Sequence, residues 1–443
     1  MLVQTKVVKF GGSSLADATQ FKKVADIIFS DKSRRFVVPS APGKRFSDDT
    51  KVTDMLYSCY DLAAKGKAID DAFKAIQERY NGIISDLGIE LSLENEFQTI
   101  KTCFIGKAGR DYAASRGEYL NGIILAKYLG FSFIDPAETI FFTEGGAFDM
   151  ELTNKILGER LAEVENAVIP GFYGSMPNDT IKTFSRGGSD ITGSIVSRAA
   201  NADVYENWTD VSGFLICDPR IIENPEGISI ITYRELRELS YMGATVLHED
   251  AIFPVRKAGI PINIKNTNAP DDAGTMIVEQ APPNSSKYTI TGIAGKKGFA
   301  VINLEKDMMN SEIGFGRKVL EVLEKNKVSF EHMPSGIDTM SIIMNRADLE
   351  SKEEEILAGL HRNVKPDHIE IERDLALIAI VGRGMKSTRG TAGRIFAALA
   401  HNHVNVKMID QGSSELNIIV GVSESDFQNA TKAIYDIFVT QQI

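Results

Sequence analysis

The last third of this 443-residue chain repeats itself. At a constant offset of 76 residues, Leu323, Asn326, Val328, Phe330, Gly336 and Ile342 match Leu399, Asn402, Val404, Val406, Gly412 and Ile418. A fixed internal period marks one supersecondary unit used twice. Each copy reads strand, turn, helix, strand, polar turn, strand, the first over Lys296–Asn345 and the second over Leu375–Asp436. Ahead of them, Gln280-Ala-Pro-Pro-Asn-Ser-Ser286 is a linker, since two prolines among small polar residues continue neither helix nor strand. Residues 1–280 alternate short β-rich runs with longer helical patterns, as in a sheet covered by helices. Val7–Phe10, Phe36–Val38, Ala167–Ile169 and Ala202–Glu206 read as strands, and Phe21, Val24, Ala25 and Ile28 as one helix face. The expected class is α/β: a large catalytic body followed by two small modules that sense a ligand or only mediate oligomerisation.

Composition narrows the function. With 43% apolar and 25% charged residues the chain is neither disordered nor collagen-like. A net charge of −11 argues against bulk affinity for nucleic acid or an anionic membrane, so an anionic substrate must be held by a few clustered Lys and Arg residues. Cys59, Cys103 and Cys217 lie far apart without a CxxC pair, and the six histidines form no HExxH. Neither a disulfide framework nor a zinc site is therefore expected. The N-terminus lacks the apolar core of a signal peptide and no run of eighteen apolar residues occurs, which reads as a cytoplasmic chain.

Two glycine-rich turns carry the chemistry. Lys9-Phe-Gly-Gly-Ser-Ser14 lies between a strand and a helix, where free amides and the helix dipole favour an anion. It is neither a Walker A loop nor a GxGxxG fingerprint. Such a turn is often only a turn, but a lysine ending a buried strand needs a reason, and a phosphoryl group supplies one. Ser185-Arg-Gly-Gly-Ser-Asp-Ile-Thr192 pairs Gly187 and Gly188 with Ser189 and Asp190 at a helix start. Either residue serves as an N-cap, yet a cap does not require Arg186 beside the glycines and an anion site does. Two such turns invite a two-anion reading, nucleotide phosphates on one and the acceptor on the other. Trp208-Thr-Asp210 at a strand end, with Asp218-Pro-Arg220, forms a candidate adenine-and-phosphate edge. Ser115-Arg-Gly-Glu118 has the capping-box spacing, and on the residues alone the cap is the favoured reading. His401 and His403 read as solvated or core residues.

Together with Gly243-Ala-Thr-Val-Leu-His248, these motifs in this order resemble the aspartate kinases, and the repeats resemble that family's two ACT modules. The resemblance covers nearly the whole chain. It implies an amino-acid-kinase fold, a sheet sandwiched by helices, over 1–283, and ferredoxin-like βαββαβ ACT modules over 296–372 and 373–443. A strand from 287–297 would complete the second module. The length leaves no room for a homoserine dehydrogenase domain, so the monofunctional type is expected.

The implied activity is ATP-dependent phosphorylation of the β-carboxylate of L-aspartate with Mg²⁺, the entry to lysine, threonine and methionine biosynthesis. By the same resemblance Lys9 contacts the phosphates and stabilises the transferring group. Gly11, Gly12, Ser13, Gly187, Gly188, Thr209, Asp210 and Arg220 lie on ATP. Thr53, Glu118 and Ser189 hold aspartate, Arg186 pairs with its carboxylate and Asp190 assists at the reacting centre. The chain departs from the family at Thr245, commonly Lys, at His248-Glu249, commonly His-Pro, and at Leu215, often aromatic.

The competing readings are a kinase of glutamate, N-acetylglutamate or carbamate, and a catalytically silent ACT sensor. For control, Gly314-Phe315-Gly316 opens a helix whose amides suit an effector carboxylate. Glu331 on the next strand, followed by Ser335, suits the amines of lysine, with or without threonine; the plain alternative is a solvated acid at a strand end. A homodimer or homotetramer through the ACT modules is expected.

Overall fold

The structure, a computed structural model, describes residues 4–185, 187–244, 247, 249–282 and 285–441. It divides into two compact units. One gathers residues 4–214, 227–234 and 247–282; the other gathers 215–226, 235–244 and 285–441.

The first unit contains strands β1 (Lys6–Phe10), β2 (Arg34–Pro39), β3 (Ser132–Phe133), β4 (Ala167–Val168), β5 (Tyr173–Ser175), β6 (Ile181–Thr183), β7 (Val204–Thr209), β8 (Ile230–Thr232), β9 (Ile262–Asn266) and β10 (Thr275–Val278). Eight form one sheet in the order β3-β4-β2-β1-β7-β9-β10-β8, parallel except between β9 and β10, while β5 and β6 make a separate hairpin. β7 starts and ends later than the Ala202–Glu206 run suggests, because its register is set by pairing with β1: Lys9 lies opposite Asn207 and Phe10 opposite Trp208.

Strand alternation then decides which side chains share a face. Val8, Phe10 and Trp208 enter the core formed with the helices Ala18–Phe29, Val52–Ala64, Asp70–Leu87, Glu94–Ile105 and Arg110–Leu129. The Phe10 and Trp208 rings stack at 5.9 Å, so the only tryptophan of the sequence is a packing residue. Val7, Lys9, Tyr205 and Asn207 point the other way, where the helix Gly188–Ala199 packs.

In the second unit β11 (Gly292–Glu305), β12 (Thr339–Asn345), β13 (His368–Val381), β14 (Val406–Asp410) and β15 (Asn417–Val422) form one antiparallel sheet ordered β12-β11-β13-β15-β14. The repeat is visible in it: the 76-residue offset carries the helix Phe315–Lys325 onto Thr391–His401. The copies differ at the strand after that helix. The second copy has β14, whereas in the first the matching segment makes only isolated bridges, His332 to Ile343 and Ser335 to Met340. The two copies share strands. Gly292–Lys296 of β11 pairs with Leu377–Val381, and Phe299–Glu305 pairs with both β12 and the first half of β13. Among the described residues no helix is long and apolar enough to cross a membrane.

Candidate active site

Parallel strands direct their C-terminal ends to one edge of a sheet, where ligands of α/β folds bind. β1 brings Lys9 there, 6% exposed. Its ammonium lies 2.6 Å from Asp190 Oδ1 and 3.4 Å from Asn207 Oδ1. Asp190 stands in the first turn of Gly188–Ala199, which begins after Gly187 at φ +70°, a left-handed conformation that glycine adopts without strain.

The loop after β1 is locked to the loop after β2. Gly43 N–H donates to the Gly12 carbonyl at 2.8 Å. A β-carbon on Gly12 would lie 2.9 Å from the Ala41 oxygen, and one on Gly43 would lie 2.6 Å from the Gly12 carbonyl carbon. Both glycines are therefore needed for close backbone approach, and a Gly11 β-carbon would stand 3.7 Å from Lys9 Nζ. Gly188 is equally constrained, since its β-carbon would strike the Phe172 ring at 2.3 Å. Ser189 packs its side chain against Gly171, with 2.7 Å to the position of a β-carbon there.

Glu118 enters from the helix Arg110–Leu129. The structure corrects the capping-box reading: the N-cap is Gly109 at φ +107°, and Ser115 and Glu118 lie inside the helix. Ser115 Oγ donates to the Tyr112 carbonyl instead. Glu118 is 6% exposed and accepts the Ala41 N–H, while its Oε2 has no hydrogen-bond partner among the described residues. Burial pushes its carboxyl up to about 8, against the opposing pull of the Ala41 and Glu118 backbone N–H groups and the Arg116 guanidinium. Gly117 lets this helix approach: a β-carbon there would lie 2.8 Å from Ala41 Cβ and 3.9 Å from Thr53 Oγ1. Ala41 thus joins the Gly12 loop to Glu118 and Thr53.

Thr209 and Asp210 end β7 at the same edge. Thr209 Oγ1 bonds within its own turn to Val211, and Asp210 is exposed. Arg220 is not gathered with them; it belongs to the segment that packs in the second unit, and its guanidinium is held by Asp218 at 2.6 Å. Arg186, Thr245 and His248 lie outside the described residues. Sequence reasoning missed Asn207. The signal was present, an amide in the middle of a strand whose neighbours are all destined for burial.

In the first repeat, Gly314 at φ +82° caps the helix as expected, but the Phe315 ring is core. Glu331 corrects the sequence reading in two ways. It precedes an isolated bridge and lies on no strand, and its carboxylate already accepts a hydrogen bond from Tyr241 at 2.5 Å. Ser335 is exposed, its hydroxyl on the Met333 carbonyl.

Residues 4–266 match the amino acid kinase family and residues 378–438 the ACT domain. The chain is 39% identical over 452 residues to aspartokinase 3 of Bacillus subtilis, with 98% of each covered. It is 28% identical to the chloroplastic aspartokinase 1 of Arabidopsis thaliana, covering 98% of this chain and 80% of that one. The crystal structure of Clostridium acetobutylicum aspartate kinase superposes with a TM-score of 0.90 at 54% identity, covering 98% of this chain and all of that one. Escherichia coli aspartokinase III, at 22% identity, shares the fold with a TM-score of 0.71 over 98% of this chain and 99% of that one. A kinase-family match across more than half the chain, with relatives aligned from end to end, assigns it: the chain belongs to the amino acid kinase family and, within it, to the aspartokinases.

Proposed function

We propose that the side chains at the C-terminal edge of the first sheet transfer the γ-phosphoryl group of ATP to the β-carboxylate of L-aspartate, giving 4-phospho-L-aspartate and ADP. One observation carries this reading: a buried lysine and a buried, half-unpaired carboxylate sit on either side of one glycine-locked loop. The lysine suits the transferring phosphoryl group and Glu118 suits the ammonium of an amino acid.

The acceptor carboxylate is ionised at neutral pH, so it needs no general base. A carboxylate oxygen forms the new bond to the γ-phosphorus as the bond to the bridging oxygen breaks and ADP departs. What remains is to bring two anions together and hold the charge that develops, which positioning and preorganised donors do. Lys9 offsets charge on the transferring group, with Asp190 fixing it. Backbone amides of Gly12, Ser13 and Gly187–Ser189 hold phosphate oxygens, the Gly11 N–H being taken by the Trp208 carbonyl at 3.1 Å. Thr209 and Asp210 hold the nucleotide, and Thr53, Ser189, Arg186 and Glu118 aspartate. Mg²⁺ fits as a nucleotide-borne ion, since it takes mostly phosphate and water ligands. The described residues contain no cluster of three groups able to cage it, and Asp210 is an exposed carboxylate at the right strand end. When bound, it neutralises phosphate charge.

The same reading assigns residues 1–283 to the kinase body and 296–372 and 373–443 to ACT modules, the second completed by a strand from 287–297. It places the enzyme in the cytoplasm, at the first step toward lysine, threonine and methionine. Met308, Ile313 and Ile337, 68%, 98% and 69% exposed, support a dimer or tetramer built through the first module. Lysine, with or without threonine, binds there, its ammonium displacing Tyr241 from Glu331 and its carboxylate on the Gly316 amide, since the Phe315 N–H is taken by the Glu312 carbonyl at 3.2 Å. Glu331→Ala then raises the lysine needed for half-inhibition at least tenfold; an unchanged inhibition curve would remove Glu331 from the effector site.

ADP release with hydroxylamine trapping tests the activity. Aspartate should give a hydroxamate with stoichiometric ADP, and glutamate, N-acetylglutamate and carbamate should not. Preference for an N-acetylated acceptor would overturn the role of Glu118, and no turnover with any acceptor would make the chain a sensor.

A further inference from the structure

Asn207 is buried to 1% exposure on the central strand β7, directly opposite Lys9 in the parallel register. An amide costs free energy to bury unless both of its ends are paired, and an aliphatic side chain at this place would avoid that cost. Both ends are paired, and with the same two groups: Nδ2 donates to Asp190 Oδ1 at 2.9 Å, and Oδ1 accepts from Lys9 Nζ at 3.4 Å. Only this orientation of the amide sets a donor against a carboxylate and an acceptor against an ammonium. Two residues earlier on the same face, the Tyr205 hydroxyl donates to the Asp190 backbone carbonyl at 3.2 Å. β7 therefore grips Asp190 at both main chain and side chain.

We infer that Asn207 is a positioning residue for phosphoryl transfer: it anchors the Asp190 carboxylate so that Lys9 can turn toward the phosphoryl group without drawing that carboxylate with it. This rests on the proposed roles of Lys9 and Asp190. The two distances divide the work. The ammonium has three protons, one spent on Asp190 at 2.6 Å and one on the long, weak contact to Asn207, so a third is available to a phosphoryl oxygen. Movement of Nζ toward a ligand gives up only the weak contact, while the shorter Asn207–Asp190 bond keeps Oδ1 in place. Without Asn207, Oδ1 would keep Lys9 as its partner and follow it, and the donor would no longer be preorganised.

The test is steady-state kinetics of Asn207→Leu, which keeps the volume, and Asn207→Ser, which keeps polarity, each checked for folding by thermal melting. Both should lower kcat ten- to hundredfold while KM for aspartate and for ATP stays within twofold. In an Asp190→Asn background the further loss on Asn207→Leu should be under twofold, because the carboxylate it positions is gone. A kcat within twofold of the parent, a KM that rises in proportion, or an equal loss in both backgrounds would overturn the inference. A folding defect in both variants with normal kcat per folded molecule would reduce Asn207 to packing. Lys9→Met separates the two levels. If it leaves kcat unchanged, the reading of the site itself fails; if it abolishes turnover while Asn207→Leu does not, only the positioning role falls.

Discussion

Glu118 makes aspartate binding a proton-linked event. In the free chain burial holds its carboxyl at about 8, so at pH 7 about nine molecules in ten carry the proton. An ammonium placed against Oε2 favours the ionised form and expels that proton. Binding at pH 7 should therefore release about 0.9 proton per aspartate. Apparent affinity should strengthen by about fiftyfold from pH 6 to pH 8 and level off above it, because only the ionised fraction binds. The substrate's own carboxylates stay ionised across this range and contribute nothing. Isothermal titration in buffers of different ionisation enthalpy reads the proton count directly. Glu118→Gln should reduce it to near zero and cost about 1.5–3 kcal/mol of aspartate affinity, roughly ten- to hundredfold. Stability follows the opposite sign. The folded chain keeps a proton that the unfolded chain loses between pH 4.5 and about 8. Stability of the free enzyme thus falls as pH rises through that window, by at most about 5 kcal/mol, and Glu118→Gln should melt later than the parent at pH 8. Aspartate affinity that is flat from pH 6 to pH 8, with no proton released, would refute the assignment of the ammonium to Glu118.

Two further outcomes test the fold around the sites. Gly43→Ala should cost about 1–3 kcal/mol and most of the activity, since its β-carbon would meet Gly12 backbone atoms at 2.6–2.7 Å and the Ser13 nitrogen at 2.8 Å; a parental melting temperature would refute the locked loop. Glu235 is fully buried and pairs with Arg383 at 2.9 Å, the Arg383 N–H at 2.9 Å and Thr291 Oγ1 at 2.6 Å. Glu235→Gln should destabilise the second unit by about 3 kcal/mol or more in urea titration, because it leaves a guanidinium without its counter-charge; a loss under about 1 kcal/mol would show the pair to be dispensable.

What could be read before folding was what is local or periodic. The glycine pairs at Gly11-Gly12 and Gly187-Gly188 announced close backbone approach, and the 76-residue period announced one helix used twice, which the structure forms at Phe315–Lys325 and Thr391–His401. Lys9 and Asp190, 181 positions apart, were both singled out, but their ion pair needed the packing of a helix on β1. Asn207 escaped notice because its meaning lies in a register between strands almost two hundred residues apart. Ser115 and Glu118 misled because S-x-x-E spacing also occurs inside a helix, and here the helix start is set at Gly109 by the packed fold. Glu331 lost its strand because the first repeat lacks a counterpart of β14 and makes two isolated bridges instead.

The most direct test of the central claim is a single-turnover measurement on Lys9→Met with saturating ATP and aspartate, alongside aspartate affinity by titration. If Lys9 stabilises the transferring phosphoryl group, the chemical step should slow by about 10²–10³-fold while aspartate affinity changes less than twofold. A phosphoryl-transfer rate within a few-fold of the parent, or a loss that lies wholly in aspartate affinity, would contradict the account.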